Sequence, residues 1–233
     1  MLRFNAQIAR GAIDASFAEA YEEVVAGVRK ATQLEPTGRP AKSTTSIVEK
    51  LRRETMRLTQ MQDIAGCRLV VQDVLAQNKV VAQLTAALPN AVVVDRRKHP
   101  SHGYRAVHII ANAKGKPVEI QIRTELQHLW AQLSEKASDV FDPAIKYGGG
   151  NLQILQAMSQ VSKVVADVEA LEADMEALEL ELGGLEQVSR EGPELQQLKK
   201  EAERLARLKR DLRKDLAEAS AKIEASPRRQ TGG

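Results

Sequence analysis

The chain has 233 residues, with 34 Lys and Arg against 31 Asp and Glu, a single cysteine and 3% aromatic residues. This length suits one ordinary domain with an appendage, or two small domains. Its apolar stretches fall short of the roughly 18 residues that a membrane span needs, and the N-terminus lacks the apolar core of a secretory signal. One cysteine excludes an internal disulfide. We therefore expect a protein without a membrane partner, in the reducing cytoplasm.

Charge is distributed unevenly along the chain. Residues 1–150 carry 21 basic and 15 acidic side chains, residues 151–191 carry 2 and 9, and residues 192–233 carry 11 and 7. The sign of the net charge therefore changes twice, which indicates regions with different roles. We predict a folded domain over 1–150, a helical region over 151–225 and a disordered tail over 226–233.

Hydrophobic periodicity in the first 150 residues alternates between that of helices and that of strands, which indicates a mixed α/β domain. Apolar residues three and four positions apart predict a helix over Ala15–Thr32, before a turn-forming segment, Thr37–Thr45, whose hydroxyls can cap the next helix. The further predicted elements are helix Ile47–Leu58, strand Ala65–Val71, helix Val74–Ala87, strands Ala91–Asp95, Tyr104–Ala111 and Pro117–Arg123, and helix Thr124–Ala137. The sequence NAKGK between the last two strands predicts a hairpin turn.

Beyond residue 150 the pattern changes to heptads. Apolar residues recur at alternating spacings of three and four from Val161 to Leu185, which predicts a coiled-coil helix. A break at Gly183–Glu194 contains glycine and proline, and a second helical run carries apolar residues from Leu195 to Ile223. The first helix is acidic and the second leans basic. This favours either an antiparallel hairpin within one chain or a partnership between chains.

Four polar segments of the first region carry residue types that could perform chemistry. The first is a group of cations on a loop and the helix after it, with Ser46 near the helix start and Lys50 and Arg53 one turn apart. Such a group either binds an anion or forms a solvated basic face. The second is Asp63, just before the strand that contains Arg68. This aspartate is either a Mg²⁺ ligand or a turn residue.

The third segment contains Lys98 and Tyr104, whose ring can stack on a base. Its three histidines could suggest zinc, but their spacing and the lack of paired cysteines fit no common zinc site. The fourth is the strand sequence VEIQIRT, where alternation places Glu119, Gln121 and Arg123 on one face. That face either meets water or lines a cleft. In a cleft, Glu119 could join Asp63 in a two-carboxylate metal site.

Together and in this order, the segments resemble the RelA/SpoT-type pyrophosphokinase (alarmone synthetase) domain. The matching sequences are KSTTSIVEKL at 42–51, DIAGCRLVV at 63–71, HGYRAVHII at 102–110 and VEIQIRTELQHLWAQLSEK at 118–136. The resemblance implies an α+β fold, with a nucleotidyltransferase-like mixed β-sheet flanked by helices, followed here by the long coiled-coil hairpin. It is a resemblance to small, synthetase-only members, because the family's His–Asp hydrolase motif does not precede these segments.

The resemblance also implies an activity. The family transfers the β,γ-pyrophosphate of ATP to the 3′-hydroxyl of GDP or GTP, which gives AMP and the alarmone (p)ppGpp, with Mg²⁺ as cofactor. Two alternatives stay open. A toxin-like relative would modify the 3′-CCA end of tRNA, and a catalytically silent protein would use the coiled coil to bind a partner or a second copy.

Roles for individual residues follow from the same resemblance. Asp63 and Glu119 correspond to catalytic, Mg²⁺-binding carboxylates, and Glu119 also corresponds to the group that activates the acceptor hydroxyl. The implied ATP-binding residues are Arg39, Lys42, Ser46, Lys50, Arg53 and Arg68. The implied acceptor-binding residues are Lys98, Tyr104, His108, Gln121 and Arg123, with Tyr104 stacking on the base. His128 and Trp130 are interpreted as helix-packing or acceptor-side residues.

Overall fold

A computed structural model describes residues 2–184 and 193–225 of the chain. The predicted tail, and residues 185–192 of the predicted break, lie outside this part. Packing divides the described residues into two compact units. The first contains the residues up to Val71 together with Ala76–Lys98 and Ala106–Arg123, and the second contains Gln72–Leu75, His99–Arg105 and the described residues from Thr124 onward. These units are defined by packing alone, so the predicted domain ranges stay a prediction.

A mixed five-stranded sheet forms the centre of the first unit. Its strands are β1 (Thr37–Arg39), β2 (Ala65–Val71), β3 (Val92–Asp95), β4 (Val107–Ala113) and β5 (Lys116–Thr124), in the order β1-β2-β5-β4-β3. The pairs β1–β2, β3–β4 and β4–β5 are antiparallel. The accompanying helices are α1 (Leu2–Thr32), α2 (Thr44–Arg53) and α3 (Val74–Ala87), with a 3₁₀ turn at Leu58–Gln60.

Strand alternation determines which face of this sheet is buried. Val118, Ile120 and Ile122 of β5 have no exposed surface, and they pack in one core with α1 residues such as Val25 and Val28. The polar residues between them therefore point to the opposite face, as the sequence predicts. The predicted hairpin turn is also confirmed. Lys114 and Gly115 both have positive φ, at 49° and 71°, as the two central residues of a type I′ turn require.

Several element boundaries differ from their predictions. Helix α1 begins at Leu2 rather than Ala15, because the residues before Ala15 include no proline to stop it. Helix α2 begins at Thr44, where the side chain of Ser43 accepts a hydrogen bond from the backbone of Ser46, and it ends at Arg53 because the backbone of Glu54 is extended. Strand β4 begins at Val107 rather than Tyr104.

Three helices form the second unit: α4 (Glu125–Val140), α5 (Leu152–Gly184) and α6 (Pro193–Glu224). Thr124 and Gln127 form a capping box at the start of α4. The buried residues of the core are Leu126, Trp130, Ala131, Leu133, Met158, Val165, Val168 and Leu216. Over the described residues, none of the helices is long and apolar enough to cross a bilayer.

The heptad seam is only partly buried. Val168 is buried as predicted, but Val164 and Leu171 are 43% and 49% exposed. Their neighbours Val165 and Glu169 are buried instead. The reason is that α5 packs against α4 as well as α6, so its buried face is turned away from that of a two-stranded coiled coil. Within this unit α5 and α6 contact each other in the same chain, as the hairpin interpretation predicted.

The single cysteine is buried in the core of the first unit. Burial, with a smaller effect from the charge of Glu119, raises the pKa of Cys67 to about 12. At pH 8 only about one thiol in ten thousand would then be the reactive thiolate. We expect native protein to be inert to a thiol-specific dye at pH 8 and to take up one equivalent after unfolding in guanidinium. Rapid stoichiometric labelling of native protein would show that Cys67 is accessible.

Candidate active site

Two carboxylates face one small cavity on the polar side of the sheet. Asp63, just before β2, and Glu119, in β5, both line a cavity of about 150 Å³. The other residues that line it are Lys50, Met56, Gln60, Gln62, Val94, Arg96, His108 and Ile110. Of the three residues on the polar face of β5, Glu119 therefore faces a cavity in the first unit.

Two lysines hold Asp63. The Lys42 ammonium lies 2.6 Å from one carboxylate oxygen and the Lys50 ammonium lies 3.0 Å from the other. Lys42 is fixed by its backbone N–H, which donates to the carbonyl of Ile64 at 2.7 Å, and Lys50 is presented by the last turn of α2. Burial by itself would raise the pKa of Asp63. The hydrogen bonds and charges of the two lysines outweigh burial, so the pKa of Asp63 is lowered and the carboxylate is ionised at neutral pH.

A line of hydrogen bonds holds Glu119. His108 Nδ1 lies 2.8 Å from Glu119 Oε1, and Gln121 Nε2 donates to Glu119 Oε2 at 2.7 Å. The Arg123 guanidinium donates in turn to Gln121 Oε1 at 2.9 Å. Gln121 lies opposite His108 in the β4–β5 register, and Glu119, Gln121 and Arg123 alternate along β5. The secondary structure itself therefore brings these four side chains together.

Opposing effects act on the Glu119 carboxyl. Burial raises its pKa, while the hydrogen bond and charge of His108 and the hydrogen bond of Gln121 lower it, and the negative charge of Asp63 raises it again. The net result is a pKa below the usual range, so Glu119 is an anion at neutral pH. Because Asp63 and Glu119 line the same cavity, their negative charges repel each other. A cation between them would relieve that repulsion.

The donor set of this cavity fits a hard divalent cation. The two ionised carboxylates at this cavity offer oxygen ligands, which Mg²⁺ prefers while it keeps several waters. By contrast, the part of the chain that the structure describes contains no group of three or more His, Cys, Asp and Glu residues arranged for a metal. Two carboxylates at one cavity therefore fit a Mg²⁺ ion that keeps several waters.

Four further residues implied in ATP binding lie on α2, β1 and β2, outside the lining of the cavity. Ser46 lies in the first turn of α2, with its hydroxyl 2.8 Å from that of Ser43. Arg53 ends α2 and donates to Glu54 at 3.0 Å. The other two cations lie on neighbouring strands: Arg39 is exposed on β1, and Arg68 is half-buried on β2. None of these four lines the cavity, so their proposed contacts are with phosphates that extend beyond it.

Residues implied in acceptor binding fall into separate places. His108 and Gln121 contact Glu119 directly, and Arg123 is buried behind Gln121. Lys98 follows β3, is exposed and does not line the cavity. Tyr104 belongs to the second unit, where it is half-buried against the core that contains Trp130.

Sequence reasoning overlooked some contributors to the site. Arg96 lines the cavity, whereas Lys98, the residue of the same basic run that the resemblance implies in acceptor binding, does not. The alternation of β3 could have identified Arg96, since it lies two residues after Val94, which also lines the cavity. Gly66 was also overlooked: a Cβ there would lie 2.9 Å from the carbonyl of Glu119. Glycine at this position of β2 therefore makes room for the backbone of β5.

Comparison with known proteins agrees with this architecture. Residues 38–139 match the family described as the region found in RelA and SpoT proteins. An uncharacterized protein of Mycobacterium tuberculosis is 37% identical over 134 residues, 56% of this chain and 49% of that protein. A probable chloroplastic GTP diphosphokinase of Arabidopsis thaliana is 31% identical over 121 residues, 49% of this chain and 17% of that protein. The chain spans about half the length of the mycobacterial relatives it matches.

Solved structures share the fold. The small alarmone synthetase 1 of Bacillus subtilis is 24% identical, with a TM-score of 0.57, over 74% of this chain and 98% of that one. The same enzyme bound to its product pppGpp has a TM-score of 0.55 at 24% identity, over 76% of this chain and 99% of that one. Residues 38–139 therefore form a region similar to that found in RelA and SpoT proteins, and the α+β fold is similar to that of a small alarmone synthetase.

Proposed function

We propose that this chain transfers the β,γ-pyrophosphate of ATP to the 3′-hydroxyl of GDP or GTP. The observation that carries the proposal is the pair of ionised carboxylates, Asp63 and Glu119, facing one cavity beside Lys50. Cations beside carboxylates suit a polyphosphate bound with a divalent metal, because phosphoryl-type transfer depends on positioning and charge neutralisation. Relatives named GTP diphosphokinase and small alarmone synthetase support this choice of chemistry.

The proposed reaction follows from the positions of the charged groups. The acceptor's 3′-oxygen attacks the β-phosphorus of ATP, the bond from that phosphorus to the α–β bridging oxygen breaks, and AMP leaves. The hydroxyl proton passes to the carboxylate of Glu119, which His108 and Gln121 hold in place. Mg²⁺, held by Asp63 and Glu119, would neutralise phosphate charge. Lys42 and Lys50 form ion pairs with Asp63, and when ATP binds they would also form ion pairs with its triphosphate.

The acceptor side is proposed from the family resemblance. Tyr104 would stack on the acceptor base and Lys98 would contact the acceptor's phosphates. Arg123 would hold Gln121 in place, and Gln121 in turn would hold Glu119. The net charge of +6 over residues 1–150 suits ATP, guanine nucleotides and tRNA alike, so it does not select the acceptor. That selection needs a direct experiment.

Purified protein would be incubated with Mg²⁺ and γ-labelled ATP and offered GDP, GTP or bulk tRNA in parallel. We expect label on a guanine nucleotide, dependent on Mg²⁺ and absent from Glu119→Gln. Label on tRNA alone would replace the alarmone proposal with the toxin-like activity. Absence of transfer to every acceptor would contradict the proposed enzyme and favour the interaction role of the helical region.

A further inference from the structure

A tight turn in the second unit carries Tyr104. The backbone N–H of Tyr104 donates to the carbonyl of Ser101 at 2.9 Å, and the return bond is 3.3 Å. His102 and Gly103, the two residues inside the turn, have φ values of 52° and 88°. A left-handed conformation is unfavourable for a non-glycine residue such as His102, so this turn needs support from its surroundings.

Helix α5 supplies such support at Gly103. The Ser162 hydroxyl, from the buried face of α5, donates to the carbonyl of Gly103 at 2.6 Å. A Cβ on Gly103 would lie 2.7 Å from the Trp130 ring and 3.2 Å from Cβ of Ser162, so α4 and α5 enclose this residue. The Trp130 indole N–H donates to the carbonyl of Met158 at 2.9 Å and fixes the two helices to each other there. The turn is therefore clamped from two sides.

A buried glutamate of α5 supports the other end of the turn. Glu169 is 3% exposed, and its Oε1 accepts hydrogen bonds from Thr124 Oγ1 at 2.6 Å and from Gln127 Nε2 at 2.9 Å. Its Oε2 faces the guanidinium of Arg105 at 3.5 Å. Arg105 directly follows Tyr104 in the chain. One carboxylate therefore joins the start of α4, the helix α5 and the segment that presents Tyr104.

We propose that α5 holds the turn that presents Tyr104, with Ser162 and Glu169 as positioning residues for Tyr104. Packing alone does not require them, because an alanine and a leucine would fill the same volume without polar atoms. A buried carboxylate costs free energy unless it is fully paired, so its use here indicates that the position of the turn matters. The inference rests on the proposed function, in which the acceptor base stacks on Tyr104.

The inference predicts an effect on the acceptor and not on ATP. We expect Ser162→Ala to raise KM for the guanine nucleotide about tenfold, the loss expected for one buried hydrogen bond, and to leave KM for ATP within about twofold. Ser159→Ala is the matched control, since Ser159 lies on the exposed side of the same helix. A general loss of folding would change both KM values and the thermal midpoint together.

Glu169 allows a graded test. Glu169→Gln keeps an oxygen for Thr124 and Gln127 but replaces the charged oxygen that faces Arg105 by an uncharged N–H₂, whereas Glu169→Ala removes all three interactions. We expect acceptor KM to rise in the order wild type, Gln, Ala. Asp167→Asn, at an exposed position of α5, should behave as wild type.

Hydrogen exchange separates this inference from the proposed function, because it needs no turnover. In Ser162→Ala we expect faster exchange confined to peptides covering residues 99–105. Faster exchange together with a selective rise in acceptor KM supports the inference. Unchanged exchange, or equal changes in both KM values, overturns it. If wild-type protein transfers nothing to guanine nucleotides, the proposed function fails, and the role of the turn in acceptor binding fails with it. The hydrogen-exchange result would still show whether α5 holds the turn.

Discussion

Replacing Glu119 by glutamine is expected to lower the rate of pyrophosphate transfer by about three orders of magnitude while the protein stays folded. The substitution keeps the shape of the side chain but removes the negative charge and the capacity to accept the hydroxyl proton. It also turns an amide N–H₂ toward one of the two donors, His108 and Gln121, that now point at the carboxylate. The measurement is the initial rate of label transfer from ATP under saturating nucleotides.

The matched control is Glu49→Gln, which removes an exposed glutamate from α2 in the same unit. It should transfer pyrophosphate at the wild-type rate. The circular dichroism spectrum and the thermal midpoint should show that the Glu119 variant is folded. A folded Glu119→Gln variant with more than about a tenth of wild-type activity would contradict the role of Glu119 as the base, since general bases contribute at least a hundredfold.

Replacing Asp63 by asparagine is expected to lower the rate about a hundredfold or more and to raise the Mg²⁺ concentration needed for half-maximal activity. Asparagine can still offer one oxygen to the cation, but the charge that binds it is gone. Lys42 and Lys50 would then lack the carboxylate they share. The measurement is a Mg²⁺ titration of the initial rate at fixed total ATP. An unchanged Mg²⁺ dependence would show that Asp63 is not a metal ligand.

The same variant has a consequence for stability against pH. Because the folded-state pKa of Asp63 is lowered, its contribution to stability is present above the unfolded pKa of about 3.9 and is lost as the pH falls through the folded value. At pH 7 the free energy of unfolding of Asp63→Asn should therefore be lower than that of wild type. When the pH falls below about 4, this free energy should decrease less in the variant than in wild type. Asp139→Asn, at an exposed position of α4, should retain the wild-type profile.

The sheet and much of its polar face could be predicted from the sequence because strand alternation is a local rule. It placed Glu119, Gln121 and Arg123 on one face, and the register then brought His108 beside them. The pairing of Asp63 with Lys42 and Lys50 could not be predicted in the same way. It depends on where the loop before α2 runs relative to β2, which is a tertiary property without a sequence period.

The turn before β4 is a second feature that the sequence pattern did not predict. Tyr104 and its neighbours have the residue types of a strand, yet Ser101 and Tyr104 bond to each other and β4 begins only at Val107. The support for this turn comes from Ser162 and Glu169, far along the chain. Heptad spacing likewise predicted long helices correctly but misplaced the buried face of α5. The spacing of apolar residues does not show how many helices pack against α5, and here both α4 and α6 do.

The central claim is most directly tested by the identity of the products when purified protein, Mg²⁺, ATP and GDP or GTP react. Phosphorus NMR and chromatography would measure AMP and the phosphorylated guanine nucleotide in the same sample. The account predicts one AMP for each guanine nucleotide that gains a pyrophosphate at its 3′-position, with neither product formed by Glu119→Gln. Formation of ADP, or release of AMP without a 3′-pyrophosphorylated guanine nucleotide, would contradict it.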